Sequence, residues 1–309
     1  KDIYEVLPGH FLEYDREGLK DRAYWELKAK EHTDSEKDTI EHTRWLVKDA
    51  VEMQMLSDIP ISTFLSGGVD SSLVTAICAK KLQKEGKNLN TFSFDFVNNH
   101  KYFKSNAFQP SEDRPWVDKM VDYAKTDHRY LECDNENMIE NLYKAVDARD
   151  LPCMADVESS MLYFCSKVVK YNKVTLTGEC ADEIFGGYPW FFREDALHSG
   201  TFPWSIAIDE RQSLLNSELS TKINLKEYID FRYNESLAEV DLLDSDSPET
   251  IEKRKISYLT LNWFMQTLLD RSDRMAMYNG VELRVPFCDY RLAQYVWNIP
   301  WEMKALNGR

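Results

Sequence analysis

The order of elements in the sequence predicts an α/β fold, a parallel sheet followed by a helical C-terminal region. Three observations carry this expectation. Strand-like and helix-like patterns alternate from about residue 60 to 180, as right-handed βαβ units require. A glycine-rich string, Ser66-Gly67-Gly68-Val69-Asp70-Ser71-Ser72, stands at one strand-to-helix passage. Beyond about residue 190 strand signals vanish and only helical patterns remain. At ~150 residues per domain, 309 residues fit two domains or one large α/β unit with a helical appendage.

Residues 1–33 are polar and aperiodic, with Leu7-Pro8-Gly9-His10 as a turn, and read as a lead-in segment. Ser35-Glu36-Lys37-Asp38 resembles a capping box with Asp in the Glu position. Ile40, Val47, Val51, Met55 and Leu56 then give an apolar stripe that Asp58-Ile59-Pro60 stops. A strand at 61–65 runs into the glycine string. A helix from Val69 to about Glu85 follows, with Gly86 placed to close it. The next expectations are a strand at 91–96 and a long loop from Val97 to Pro115. A loop of that length in a compact domain suggests a lid over 98–113. Helix 116–125, strand 128–133, helix 136–147, helix 159–171 and a buried strand at 174–177 continue the alternation. Helices at about 206–218, 225–240, 249–269 and 289–297 complete the chain. The division is therefore a lead-in at 1–33, an α/β core at 34–200 and a helical part of the same unit at 201–309.

Charge and composition remove several classes of function. Lys+Arg number 38 against Asp+Glu 53, a net charge of −15, which disfavours nucleic acid and anionic membrane surfaces as partners. No run approaches ~18 apolar residues, so no spanning helix is expected. Cys78, Cys133, Cys153, Cys165, Cys180 and Cys288 are scattered without a C-x-x-C pair, the usage of a reducing, cytoplasmic compartment. The six His match no zinc spacing.

The glycine string carries the strongest chemistry. Gly67 and Gly68 let the backbone fold closely around an anion, and the helix start behind them offers unpaired N–H groups. Ser66, Ser71 and Ser72 add hydroxyl donors, and Asp70 fits an anion site if it holds a metal bridging to phosphate. A Gly-Gly turn with Asp and Ser merely capping the helix is the plainer alternative, but the full string at a strand–helix junction weighs against it. The loop is not a Walker A sequence, since no Gly-Lys-Ser/Thr follows at the required spacing. A second string, Thr177-Gly178-Glu179-Cys180-Ala181-Asp182-Glu183-Ile184-Phe185-Gly186-Gly187-Tyr188, follows the strand at 174–177 and so lies at a carboxyl edge of the expected sheet. Asp182 is either a second metal ligand opposite Asp70 or, as acidic residues at a strand end can equally be, a helix cap.

At S-G-G-x-D-S-S the sequence resembles the PP-loop ATP pyrophosphatases, with their adenine nucleotide alpha hydrolase-like fold. The second string is similar to the S/T-G-E-G-A-D-E-x-F-G-G-Y segment of the asparagine synthetase family. A third, from Leu269-Asp270-Arg271-Ser272 through Val285-Pro286-Phe287 to Asn298-Ile299-Pro300, resembles that family's C-terminal helical region. The resemblance covers essentially the whole chain and implies amidation of aspartate by ammonia, driven by ATP through a β-aspartyl-AMP. It implies pyrophosphate binding by Ser66, Gly67, Gly68, Asp70, Ser71 and Ser72, and Mg²⁺ on Asp70 and Asp182. Adenine and ribose would be framed by Leu65, Phe94, Thr177 and Gly178, and Glu179 would serve in making or consuming the adenylate. Ammonia would come from an N-terminal glutaminase domain, and dimers are common in the family. A β-lactam synthetase-like cyclase or other adenylate-forming PP-loop enzyme, and a non-catalytic ATP-binding fragment, are the rival implications; Glu179 favours external ammonia over the cyclase.

Four features depart from the family pattern. Cys180 replaces a usual Gly, and Arg193, a candidate ATP contact, stands where some members have Lys. The glutaminase domain is absent from this sequence, and a downstream segment with a phosphate-contacting Lys is not reached. The sequence therefore reads as a synthetase domain excised from a larger enzyme.

Overall fold

The structure, a computed structural model, describes residues 3–106, 111–152 and 154–305. Two strands, β1 (His10–Asp15) and β2 (Gly18–Ala23), form an antiparallel hairpin in the lead-in segment, where no strand was expected. Their side chains are almost all exposed, so the alternation that marks a half-buried strand is missing. Residues 28–34 then run along the C-terminal helix Tyr290–Asn298. Lys28 N–H donates to Gln294 Oε1 (3.0 Å), Lys30 N–H to Asn298 Oδ1 (2.6 Å), and the Tyr295 hydroxyl to Asp34 Oδ2 (2.7 Å).

Among the described residues the central sheet has five strands, all parallel, in the order β5-β4-β3-β6-β7. These are β3 (Ile61–Phe64), β4 (Asn90–Phe96), β5 (Asp127–Cys133), β6 (Val174–Leu176) and β7 (Glu282–Arg284). The chain builds outward from β3 to β4 and β5, then returns to lay β6 on the other side of β3. β3 and β6 therefore flank the topological switch point, where open parallel sheets bind ligands beyond their carboxyl ends. The expected α/β class is present. The expectation that strands cease after about 190 is overturned by β7, a three-residue edge strand inside an otherwise helical stretch.

Helix Glu36–Gln54 starts as its capping sequence predicts: Ser35 Oγ accepts from Asp38 N–H. Its last turn is closed by Arg284 of β7, whose Nη1 donates to Gln54 O and Leu56 O at 2.6 Å each. With helix Val69–Lys84 it covers one face of the sheet, where Val47, Val51, Ile61, Val74, Val174 and Leu176 form the main core. Helices Ala155–Val168 and Met265–Met277 cover the other face around Phe92, Cys165, Val168 and Ala276. The region expected as one helix over 136–147 is two, Asn135–Glu140 and Leu142–Arg149. Pro248–Leu259 and Met265–Met277 are joined through a π-helical turn, Thr260–Phe264, so the helix runs on past 269.

Among the described residues no helix is long and apolar enough to cross a membrane. The loop expected as a lid holds one helical turn, Asn99–Tyr102, with Tyr102 exposed and Phe103 half-buried. Phe108 and its neighbours at 107–110, like Cys153, lie outside the described residues.

Candidate active site

Two loops leave the sheet side by side at the switch point. β3 and β6 pair in register, Ile61 with Val174 and Thr63 with Leu176, so their carboxyl ends deliver the two sequence strings to one place. After β3 the chain turns at Gly67 with φ +81, a backbone that only glycine adopts without strain. A Cβ there would stand 2.7 Å from Trp116 Cβ. Ser71 Oγ lies 3.0 Å from Ser66 Oγ and accepts from Ser66 N–H, tying the loop to the helix start. After β6, Gly178 passes so close to this helix start that an added Cβ would meet Ser71 N at 2.5 Å. The two loops thus touch backbone to backbone.

Between them opens a cleft of about 410 Å³ lined by Ser66, Gly68, Asp70, Ser71, Phe94, Thr177, Gly178, Glu179, Asp182, Glu183 and Arg271, among others. Leu65 lines an adjoining cavity of about 780 Å³, which shares Phe64, Ser66 and Phe94 with the cleft. Phe94 stacks on Phe164 with ring centroids 4.3 Å apart, which fixes an apolar wall between the two spaces. Gly67, Ser72 and Arg193 are the predicted residues that line neither space. Gly67 shapes the turn from behind and Ser72 belongs to the first turn of its helix. Arg193 is exposed and paired with Asp195. Asp156 is exposed and accepts from Val157 N–H.

Electrostatics in the cleft are those of crowded acids. Burial and the facing Asp182 carboxylate push the Asp70 carboxyl from 3.8 up to about 6. Asp182 is shifted in the same direction by desolvation. The buried Glu183, whose carboxylate accepts from the Tyr188 hydroxyl at 2.5 Å, rises to about 7 through desolvation. Gly187 lets Asp182 keep its place: an added Cβ would fall 1.9 Å from Asp182 Oδ1. Two facing carboxylates with raised affinity for protons are what a divalent cation would relieve. Among the described residues no group of three His, Cys, Asp or Glu could hold an ion by itself. Two carboxylates are as many as Mg²⁺ takes from a protein where water and phosphate oxygens complete its shell.

Cys180 occupies the family's Gly position with a left-handed backbone, φ 73, and starts the short helix Ala181–Phe185. Its thiol is buried against the Cys288 thiol, and that hydrogen bond together with burial holds its proton far above the usual range. The tight backbone that glycine would give is thus present with a side chain on it.

A family model described as Asparagine synthase matches residues 42–309. The chain belongs to the asparagine synthase family. Glutamine-hydrolyzing asparagine synthetase 3 of Bacillus subtilis (strain 168) is 48% identical over 310 residues, covering 100% of this chain and 50% of that protein. Glutamine-hydrolyzing asparagine synthetase 1 of the same organism is 28% identical, covering 99% and 51%. Amidase chyE of Penicillium rubens is 26% identical, covering 98% and 53%. The chain spans about half the length of the curated relatives it matches.

Arg271, Ser272, Glu183 and Tyr188 belong to the family strings, yet sequence reasoning gave none of them a place in the site. The signal was available only for the last two, which share a string with Glu179. Arg271 reaches the cleft from a helix more than ninety positions downstream.

Proposed function

We propose that this chain carries out the ATP-dependent amidation of aspartate to asparagine, with β-aspartyl-AMP formed on the way. The observation that supports it most is the meeting of both motifs at the switch point, with Asp70 facing Asp182 across one cleft beside Glu179. In the first step the aspartate β-carboxylate attacks the α-phosphorus of ATP. An O–P bond forms and the bridging P–O bond to pyrophosphate breaks. The nucleophile is already ionised near pH 7, so the site needs charge stabilisation rather than a strong base. Ser66, Ser71 and the first N–H groups of helix Val69–Lys84 donate to the departing pyrophosphate. Phe94 and Leu65 frame the adenosine, with Thr177 and Gly178 at its ribose. Asp70 and Asp182 would hold Mg²⁺, which supplies charge neutralisation on phosphate oxygens. In the second step the ammonia lone pair attacks the activated acyl carbon, AMP leaves with the C–O electron pair, and Glu179 accepts a proton from nitrogen. A glutaminase domain of the same protein is the proposed ammonia source. A cytoplasmic homodimer is the proposed setting.

Exchange of labelled pyrophosphate into ATP tests this reading. It is expected to require aspartate and to fall about 100-fold or more in Asp70→Asn together with amide formation. Glu179→Gln is expected to depress amide formation far more than exchange. Exchange that ignores aspartate, or is absent, would sink the proposal.

A further inference from the structure

Glu179 is not a free carboxylate. Arg271 Nη2 donates to its Oε1 at 2.8 Å, and the Ser272 hydroxyl donates to its Oε2. Both donors come from consecutive residues of helix Met265–Met277. Both are enclosed: the Arg271 side chain is 16% exposed and Ser272 1%. The helix is carried to this position through the π-helical turn Thr260–Phe264. That turn adds one residue to the winding and rotates everything after it by about 100°. Leu268 and Arg271 thereby line the cleft.

Arg271 is also the single cation among the described residues lining the cleft, against Asp70, Glu179, Asp182 and Glu183. In a site meant for phosphates and an amino acid, a lone guanidinium would be expected to face substrate. Instead one nitrogen is committed to a carboxylate, and its Nε–H is buried without a hydrogen-bond partner. An arrangement of this kind serves the carboxylate it binds.

Resting on the amidation reading, we infer that Arg271 and Ser272 are positioning residues that clamp Glu179 for the ammonia-consuming step. A carboxylate offers about four lone-pair sites; the clamp occupies one on each oxygen and leaves the others for N–H donors. Two donors on two oxygens also stop rotation of the carboxylate plane. Ammonia is small and has no handle except its N–H bonds, so its approach is set by acceptors held still. As its lone pair closes on the acyl carbon and the C–O bond to AMP breaks, one N–H proton passes to Glu179. The neighbouring guanidinium and hydroxyl keep that oxygen in line. The adenylation step needs no such acceptor, so the clamp should leave it alone.

The experiment compares Arg271→Ala, Arg271→Lys and Ser272→Ala in the intact protein with free ammonia supplied. Aspartate-dependent pyrophosphate exchange is expected to stay within about 3-fold of the unaltered protein in all three. Amide formation is expected to fall about 100-fold in Arg271→Ala and about 10-fold in Ser272→Ala, the cost of a reacting group displaced by an ångström or less. The loss should appear as a lower kcat and a higher KM for ammonia, with KM for ATP and aspartate unchanged. Arg271→Lys should recover part of it, and free guanidinium should partly rescue Arg271→Ala but not Glu179→Gln. Exchange and amide formation falling together, or Ser272→Ala and Arg271→Ala leaving amide formation intact, would overturn the clamp. Absence of exchange in the unaltered protein would overturn the amidation reading and the clamp with it, whereas losses confined to the variants concern the clamp alone.

Discussion

At the scale of single residues, the site is held in an electrostatically unfavourable state that a ligand can relieve. The Asp70 carboxyl sits at about 6 against an ordinary 3.8, raised by burial and by Asp182. The folded protein therefore holds this proton more tightly than the unfolded chain does. The contribution of Asp70 to stability falls as pH rises from about 4 to about 6, and the penalty is complete above that. Asp70→Asn is accordingly expected to raise Tm by about 2–5 °C at pH 8 and by nothing measurable near pH 3.5. Mg²⁺ should raise Tm of the unaltered protein at pH 8, lose that effect at pH 5, and do little for Asp70→Asn. Scanning calorimetry at the two pH values checks each arm, and a lower Tm for Asp70→Asn at pH 8 would contradict the account. Glycine matters here in the same local way. Gly187→Ala would put a methyl on the Asp182 carboxylate, so it should weaken the Mg²⁺ shift more than it lowers metal-free Tm.

At the scale of elements, the contact between the two loops is backbone on backbone, and Gly178 is what permits it. Its missing Cβ would lie 2.5 Å from Ser71 N and 2.8 Å from Asp70 C, atoms that cannot swing aside as a side chain could. Gly178→Ala should therefore part the two loops, costing about 1–3 kcal/mol of stability and most of the pyrophosphate exchange. Exchange close to that of the unaltered protein would show that the loops need not touch. The loops themselves were legible in the sequence because each follows a short apolar strand and carries glycines at its turn. Buried β3 and β6 read as strands, and Ser35 and Gly86 marked helix ends, for the same reason: the signal is local. β7 was not legible. Unlike the equally short but buried Val174–Leu176, Glu282–Arg284 carries two charged residues and shows no apolar run, and it pairs at the edge that β6 offers. The hairpin of β1 and β2 failed for the opposite reason, since strands without a buried face have no alternation to display. The grip of Arg271 and Ser272 on Glu179 was hidden as well, because the π-helical turn that sets their angular position leaves no mark in an apolar pattern.

At the scale of the whole molecule, a segment from the early part of the chain is fastened to a helix from its late part. Residues 28–34 have no regular structure, yet their backbone is ordered by side-chain amides of helix Tyr290–Asn298. Gln294 both accepts from Lys28 N–H (3.0 Å) and donates to Lys28 O (2.6 Å), while Asn298 accepts from Lys30 N–H at 2.6 Å. The Asp241 carboxylate accepts from Ala29 N–H at 2.8 Å, adding a third element to the fastening. None of these groups belongs to the core or to the cleft, so the strap can be loosened separately. Each such hydrogen bond contributes about 0.5–1.5 kcal/mol net, and removing the four made to residues 28–30 by Gln294 and Asn298 frees the segment to open locally. The double substitution Gln294→Ala and Asn298→Ala is expected to speed tryptic cleavage after Lys28 and Lys30 about 10-fold or more, because protease acts on the opened population. Tm should fall by only a few degrees, and aspartate-dependent exchange should persist, since β3, β6 and their loops are untouched. Cleavage at an unchanged rate would mean that the hairpin ahead of the strap, rather than the amides, keeps this segment in place.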